Sequence, residues 1–319
     1  MTIQGNDFSG SPDFVKQSVQ SAATSSESYW QPSRVVISAW LEHAPFAFWI
    51  MNAISPATLV ELGTHNGFSF FTFCEAARRL RLPTRCFAID TWQGDDHAGF
   101  YGDEIYADVS GVATASYPDS AVLLRGYFDD FVHGFDDASI DLLHIDGRHS
   151  YEDVKHDFES WLPKVADGGI VLFHDIAEHE RGFGVWKLWE ELAQRYPHFS
   201  FQHGHGLGVL GVGTQLSPAL KQLFDSTDDA IERVRSFYSD LGELVSARYS
   251  RDVEEAAIRL EIASLRASLG ELTDQLAELR NSYSWRMTRP LRKAAAAIPP
   301  GGRHMVRSGL GKLLSAFRR

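Results

Sequence analysis

The chain has 319 residues, of which 44% are hydrophobic and 23% charged, a composition typical of a globular protein with a sizeable core. Its two cysteines, Cys74 and Cys86, do not form the spacing of a disulfide framework or a zinc knuckle. The polar N-terminal segment does not resemble a signal peptide, and no apolar run reaches the roughly 18 residues needed to cross a bilayer. The composition therefore predicts a protein of the reducing cytoplasm.

The formal net charge of −12 is unevenly distributed along the chain. Residues 281–319 contain nine Lys or Arg and no Asp or Glu, so the remaining 280 residues carry a charge of −21. An acidic body of this kind makes nucleic acid an unexpected partner, and it sets the basic tail apart as a separate segment.

The predicted elements begin after a polar segment, 1–27, that we expect to be disordered. A helical apolar pattern covers 34–54, and Pro45 is expected to break it. From about 57 to 213 short apolar runs alternate with amphipathic ones, which is typical of a doubly wound α/β sheet and predicts one domain over 28–217. The predicted strands are 58–62, 86–90, 121–124, 140–146, 169–174, 199–203 and 207–213, and the predicted helices are 68–81, 151–162 and 183–195.

Two connections in this region differ from the usual strand–helix pattern. The last two strands leave no room for a helix between them, so we expect a terminal antiparallel hairpin. About 30 residues follow the second strand, which is long for a loop in a compact domain and predicts a lid over the substrate.

The sequence after Pro218 predicts helices of a different kind. We expect a helical connector at 218–250, a coiled coil at 251–289 and a basic amphipathic tail at 290–319. Apolar residues repeat from Ile258 to Tyr283 with a strict 4-3-4-3 spacing, which indicates a seam for self-association into a homo-oligomer. The alternative is a single amphipathic helix packed on the α/β body.

The tail has apolar residues on one helical face, with basic residues beside or opposite it. The apolar residues are Val306, Leu310, Leu313, Leu314 and Phe317. This pattern is typical of a helix that lies in a membrane interface and predicts peripheral contact with the inner leaflet. The alternative is that the tail docks on the acidic body.

Two carboxylates end neighbouring predicted strands. Asp146 follows the run IDLLHI, and Asp175 follows GGIVLFH. Ligands of open parallel sheets bind beyond the carboxyl ends of the strands, so both side chains are expected at one cleft, with His149 overhanging it. Such a group indicates acid–base or metal chemistry.

A glycine-rich turn joins the first strand to the first helix of the alternating region. The sequence Glu61-Leu-Gly63-Thr-His-Asn-Gly67 has GxxxG spacing and lacks the middle glycine of the dinucleotide motif, which counts against NAD. The second strand ends in Asp90, a residue type that accepts hydrogen bonds from ribose hydroxyls at this position. Together these features predict a nucleoside site, whereas GxxxG alone is equally typical of tight helix–strand packing.

Several strings of this sequence resemble one family. They are VELGTHNGFSFFTF, FAIDTWQGDDHAGFYGDEIY, SIDLLHIDGRHSYEDVKHDFESWLPKVADGGIVLFHD, RGFGVWKLWEEL and HGHGLGVLGVG, in this order over about 57–213. The chain resembles class I S-adenosylmethionine-dependent O-methyltransferases, in particular the macrocin O-methyltransferase-like bacterial branch that accompanies glycosyltransferases. The resemblance implies a Rossmann-like methyltransferase sheet, S-adenosylmethionine as methyl donor, and a sugar or glycan acceptor in surface-polysaccharide biosynthesis.

The resemblance also implies roles for residues of the first two strand ends. Glu61, Gly63, Gly67 and Ser69 match positions that hold the methionine end of S-adenosylmethionine, and Asp90 matches the acid that binds its ribose.

The resemblance further implies the reaction centre. Asp146 and His149 match a D-x-x-H motif in which the Asp binds a divalent metal such as Mg²⁺ and the His is the base, and Asp175 matches a second metal ligand. The departure is His174, which stands where metal-dependent relatives carry an acid and is less suited to a hard ion. Two roles therefore stay open for His174: a metal ligand, or a hydrogen-bond partner of the ligand residues.

The other histidines have less specific patterns. His144 lies inside a predicted strand and is expected to be a core residue. His203 and His205 lie in the last hairpin, where structural or substrate-rim roles are expected.

Two other classes of function remain open from the sequence. One is a scaffold that binds a cofactor without turnover. The other is an NAD enzyme or a hydroxylase on a similar fold, with iron held by His149, His174 and Asp175.

Overall fold

The structure is a computed structural model that describes residues 23–95, 99–180, 182–297 and 299. The chain divides into two compact units, Met1–Arg251 and Asp252–Arg319. Within the described ranges, no helix has the length and apolar character needed to cross a membrane.

The first unit is built on a mixed seven-stranded sheet, as the alternating sequence pattern predicts. Its strands in chain order are β1 (Thr58–Leu62), β2 (Arg85–Asp90), β3 (Ala121–Arg125), β4 (Ile140–Ile145), β5 (Val165–His174), β6 (His198–Phe201) and β7 (Leu207–Gly211). The strand order is β3-β2-β1-β4-β5-β7-β6. The first five strands are mutually parallel, whereas β7 is antiparallel to both of its neighbours. The two final strands form the expected hairpin because only five residues, 202–206, connect them.

The helices of the first unit lie between and after these strands. They are α1 (Ala44–Ile54), α2 (Phe68–Leu80), α3 (Asp103–Ser116), α4 (Phe128–Phe131), α5 (Tyr151–Trp161), α6 (Val185–Ala193) and α7 (Pro218–Phe224). Short 3-10 turns occur at Ser26–Tyr29, Leu41–His43, Val132–Gly134 and Leu162–Lys164. A two-stranded ribbon pairs residues 94–95 with 99–100.

Two hydrophobic clusters cover the two faces of the sheet. Alternate residues of β1 point to opposite faces, so Leu59 joins the cluster of α1 and α2 while Val60 joins that of α5 and α6. Helix α8 (Asp228–Asn281) contributes Val234 and Tyr238 to the first cluster. Residues 228–250, most of the predicted connector, therefore belong to the first unit.

The long helix approaches the rest of the first unit at Gly242. A Cβ at this position would lie 2.4 Å from the carbonyl oxygen of Glu42. The hydroxyl of Tyr238 donates to the carbonyl of Ala23 at 2.6 Å and lies 2.9 Å from Ser28 Oγ. Residues 23–27 thus pack on this unit, although they fall in the segment predicted to be disordered. The rest of that segment lies outside the described residues.

The structure bears on two expectations for local structure. The long loop after the second strand contains helix α3, which the sequence analysis missed because Gly111 and several β-branched residues weaken its helical pattern. The helical pattern predicted over 34–54 forms an α-helix only from Ala44, after a 3-10 turn at Leu41–His43. The predicted break therefore falls beside Pro45, which stands in the first turn of α1, where its missing N–H has no helical partner to lose.

The described residues of the second unit form the end of α8 followed by α9 (Tyr283–Met287) and α10 (Arg289–Ala296). The side chains of the predicted seam in α8 are exposed. The residues of the tail that carry the predicted membrane-binding face, 306–317, lie outside the described part of the chain.

Candidate functional site

A cavity of about 920 Å³ opens at the carboxyl ends of the parallel strands. This is the edge where open α/β sheets bind ligands, and the volume is in the range of small-molecule sites. The sequence-predicted residues that line it are Gly63, Ser69, Asp90, Asp146, His149 and Asp175. Glu61 and Gly67 do not line it.

The turn after β1 needs its two glycines for packing reasons. Gly63 has a φ of +87°, and a Cβ there would lie 2.1 Å from the carbonyl oxygen of Asp146. Gly67 has a φ of +74° at the start of α2, and its Cβ would lie 2.8 Å from the ring of Phe71. Both positions therefore exclude other residues, since L side chains rarely adopt this conformation. The close approach of Gly63 brings the ends of β1 and β4 together at the cavity.

Asp90 is a hydrogen-bond acceptor for the main chain around it. Its Oδ2 accepts from the backbone N–H groups of Thr64 and His65, each at 2.8 Å, and its Oδ1 accepts from that of Trp92 at 2.7 Å. Asp90 thus holds the glycine turn in place. Its contact with a ribose stays a prediction.

Glu61 lies behind the cavity wall. Its side chain is fully buried, and His144 Nδ1 donates to its Oε2 at 2.8 Å. Burial raises the pKa of Glu61. His144 is therefore a buried core residue with a hydrogen-bond partner, as predicted. This arrangement does not favour a direct contact between Glu61 and a ligand in the cavity.

The three residues of the predicted reaction centre do meet in space. His149 Nε2 donates to Asp175 Oδ2 at 2.9 Å and lies 3.7 Å from Asp146 Oδ1. Burial alone would lower the pKa of His149, but the two carboxylates outweigh it and raise the pKa to about 9. The imidazole also stacks on Phe183, with ring centroids 4.4 Å apart.

His174 binds the same carboxylates from the opposite side of the cluster. Its Nε2 donates to the carbonyl of Gly204 at 3.1 Å, and its Nδ1 lies 3.1 Å from Asp146 Oδ1 and 3.4 Å from Asp175 Oδ2. Burial would lower the pKa of His174, yet the carboxylates hold it well above the usual value. In this arrangement His174 is a hydrogen-bonding partner of the two acids.

The local backbone explains why these acids point at the cavity. Asp175 has a φ of +62°, a conformation that non-glycine residues adopt rarely and that clusters at functional sites. Ser150 Oγ accepts from the backbone N–H of Asp153 at 3.1 Å and caps α5. Asp146 is therefore not needed as a helix cap. The neighbouring imidazoles hold the pKa of both Asp146 and Asp175 below the usual range, although burial would raise it.

The donor set suits a divalent cation. Asp146, His149 and Asp175 each offer one ligand atom, and these atoms lie within 4.8 Å of one another. Two carboxylate oxygens and one imidazole nitrogen are compatible with Mg²⁺, Mn²⁺ or Fe²⁺. The carboxylates accept hydrogen bonds from imidazoles in this arrangement, so cation binding would replace protons.

The sequence analysis missed two residues of this region. Phe183 stacks on His149, and Asp157 lines the cavity beside the centre. Asp157 is 7% exposed, and burial raises its pKa to about 7. A signal was present, because Asp157 falls on the apolar face of α5 with Val154 and Trp161, where a carboxylate is unusual.

Comparisons with known proteins agree with the class of fold. Residues 60–176, from within β1 to just past β5, match the family model described as a methyltransferase domain. The mixed sheet and this match together define a Rossmann-like methyltransferase fold in the first unit.

One curated relative extends over more of the chain. The uncharacterized protein y4gI of Sinorhizobium fredii is 42% identical over 275 residues, which is 82% of this chain. The chain spans 30% of the length of that relative.

Solved structures of methyltransferases are similar at low identity. A methyltransferase from Geobacter sulfurreducens is 17% identical, with 56% of this chain and 81% of that chain covered and a TM-score of 0.41. The O-methyltransferase TomG from Streptomyces achromogenes, solved with SAM, is 16% identical, with 63% and 96% covered and a TM-score of 0.43. An O-methyltransferase from Bacillus cereus, solved with SAH, is 15% identical, with 57% and 84% covered and a TM-score of 0.41.

Proposed function

We propose that this chain transfers a methyl group from S-adenosylmethionine to a hydroxyl oxygen of a sugar or glycan. The observation that carries the proposal is the meeting of Asp146, His149 and Asp175 in a cavity that is also lined by the glycine turn held by Asp90. A cofactor beside the turn and an acceptor hydroxyl beside His149 would then share one cavity, as group transfer to a hydroxyl requires.

The cofactor half of the proposal rests on the turn after β1. The backbone approaches closely at Gly63, and Ser69 and Asp90 line the same part of the cavity. S-adenosylmethionine would supply the methyl group and the leaving group. The role of the residues here is to orient it, with Asp90 beside the ribose and the turn beside the methionine end.

His149 is the proposed general base. A sugar hydroxyl is a very weak acid, so a base within hydrogen-bond reach increases the rate by about 10²–10⁴-fold. Asp146 and Asp175 raise the pKa of His149 to about 9, which favours its protonated form while both carboxylates face it. A cation on Asp146 and Asp175 would neutralise those carboxylates, and His149 would then be available in its neutral form.

The metal is a further part of the proposal. A divalent ion held by Asp146 and Asp175 would lower the pKa of the acceptor hydroxyl. His174 supports this arrangement from behind, because its hydrogen bond to Gly204 fixes the ring and directs Nδ1 at both acids. The sugar acceptor is supported by the resemblance of the sequence motifs and by the polar cavity wall at Arg148 and His156.

Binding measurements test the cofactor first. S-adenosylhomocysteine (SAH), NAD and 2-oxoglutarate are compared by calorimetry, each with and without Mg²⁺. Asp90→Ala is expected to weaken SAH binding about ten- to a hundredfold, since hydrogen bonds to a charged group contribute roughly 1.5–3 kcal/mol each. Asp119→Ala is the matched control, because Asp119 is exposed and outside the cavity wall. Tight NAD binding, or SAH affinity unchanged in Asp90→Ala, contradicts the assignment.

Activity measurements then test the metal and separate catalysis from mere binding. Asp175→Asn is expected to abolish any response of methyl transfer to Mg²⁺, and EDTA should lower the rate of the unaltered protein. If neither EDTA nor added metal ions change the rate of methyl transfer, the metal has no part in the reaction. SAH binding without methyl transfer to any sugar acceptor would instead favour a cofactor-binding scaffold.

A further inference from the structure

The second unit exposes a continuous apolar seam along α8. Its seven aliphatic side chains are 43–64% exposed. They are Ile258, Ile262, Leu265, Leu269, Leu272, Leu276 and Leu279. The seam spans three heptads, or about 32 Å at 1.5 Å per residue. A long stripe of this kind indicates an interaction surface, whereas single exposed apolar residues do not.

The spacing of the seam fixes the heptad position of every residue around it. Ile258, Leu265, Leu272 and Leu279 occupy d positions, and Ile262, Leu269 and Leu276 occupy a positions. A partner helix would insert its own a and d side chains between these, as in a two-stranded coiled coil. Ile262 at a with Leu265 at d is a combination that favours two strands, whereas Ile258 at d is more typical of higher oligomers.

The positions flanking the seam carry charges of opposite sign on its two sides. The g positions are Glu254, Glu261, Ser268 and Gln275, with no basic residue among them. The e positions are Arg259, Arg266, Thr273 and Arg280, with no acidic residue among them. One edge of the seam is thus acidic or neutral, and the other is basic or neutral.

We infer that the seam binds the same seam of a second copy of this chain, parallel and in register. In a parallel pair each g residue meets the e residue five positions later on the partner. Glu254 then faces Arg259 and Glu261 faces Arg266 of the other copy, on both sides of the pair. A fully overlapping antiparallel pair would instead place g beside g and e beside e, so that Arg259 faces Arg280 and the glutamates face uncharged residues. Like-charge contacts are unfavourable and select against that orientation.

The inference is independent of the proposed methyl transfer, because it rests on α8 alone. The apolar seam supplies the affinity, and the flanking charges choose the orientation. In a parallel pair the first units of both copies precede the same end of the coiled coil.

Disulfide trapping in the full chain distinguishes the orientations. Ile258→Cys and Leu279→Cys lie at opposite ends of the seam, and the native Cys74 and Cys86 are buried. In a parallel, in-register pair each d residue lies next to the same residue of the other copy. Each variant alone should therefore form a covalent dimer on mild oxidation. Leu260→Cys is the control at an f position, 74% exposed, and should remain uncrosslinked. Covalent dimers that form only when the two end variants are mixed would establish the antiparallel pair and overturn the inference.

Two single substitutions test the role of the charges that flank the seam. Glu261→Arg and Arg266→Glu should each raise the dissociation constant of the dimer by about tenfold, because each turns two attractive contacts into repulsive ones. Mixing the two variants should restore the affinity as a heterodimer. Light scattering of the unaltered chain is expected to give the mass of two copies, and any other mass contradicts the inference. Dissociation constants unchanged in both variants would contradict the role of the charges.

Discussion

Asp157 gives a prediction about stability that can be worked from its environment. The carboxyl group is 7% exposed in the cavity wall, and burial raises its pKa from 3.8 to about 7. The neighbouring His156 lowers the pKa, whereas Asp153 and Asp129 add to the increase. The folded state therefore holds a proton at this site up to a higher pH than the unfolded state does.

The sign of the effect follows from this difference in proton binding. Between about pH 4 and pH 7 the folded state binds more protons, so the free energy of unfolding decreases as the pH rises. The shift corresponds to about 4 kcal/mol when both states are ionised, at 1.36 kcal/mol per pKa unit. Asp157→Asn removes this cost. It should stabilise the protein most at pH 8, and its advantage should grow by about 2.5 kcal/mol from pH 5 to pH 8.

Urea unfolding at a series of pH values measures this difference. The full chain and Asp157→Asn are compared at pH 5, 6, 7 and 8, in the same ionic strength. Asp119→Asn serves as the control for the loss of a carboxylate on the surface. A constant difference between Asp157→Asn and the unaltered chain over this range would refute the reasoning, because it would mean that Asp157 is ionised in the folded state throughout.

Three other predictions follow from the site and the tail. His149→Ala should lower methyl transfer by about 10²-fold and leave SAH binding unchanged, which single-turnover kinetics and calorimetry would show. Gly63→Ala should cost about 3 kcal/mol of stability or more, because its Cβ meets the carbonyl of Asp146 at 2.1 Å. Gly111→Ala, whose Cβ meets nothing within 4 Å, should instead stabilise α3 by about 1 kcal/mol, and thermal unfolding compares the two. The basic tail predicts that the full chain floats with anionic vesicles at low salt, while a chain shortened to end at Ser250 does not.

The proximity of Asp146, His149 and Asp175 was predictable because it depends on strand ends. Apolar runs of the right length located β4 and β5, and parallel neighbours deliver their last residues to one edge of the sheet. Asp146 and Asp175 were therefore placed together from the sequence, and His149 followed from its position three residues after Asp146. The distances of 2.9 and 3.7 Å from His149 to these acids agree with that placement.

The details that were missed depend on contacts between distant segments. The ring of His174 is oriented by the carbonyl of Gly204, thirty residues away, and Phe183 reaches His149 from the segment before α6. The burial of Glu61 depends on its pairing with His144 in the neighbouring strand. Such contacts need the folded chain, because periodicity describes only which face of an element is apolar.

The carboxylates that line the cavity have different surroundings, and this difference bears on function. Asp90 accepts three backbone hydrogen bonds, so its charge stabilises the turn around it. Burial raises the pKa of Asp157, so the charged form of this side chain destabilises the folded state. A costly buried carboxylate in a cavity wall is more readily explained by a ligand than by packing. We therefore expect Asp157→Asn to raise the KM for the acceptor while the dissociation constant of SAH stays unchanged. If the variant is more stable but neither constant changes, Asp157 has no part in acceptor binding.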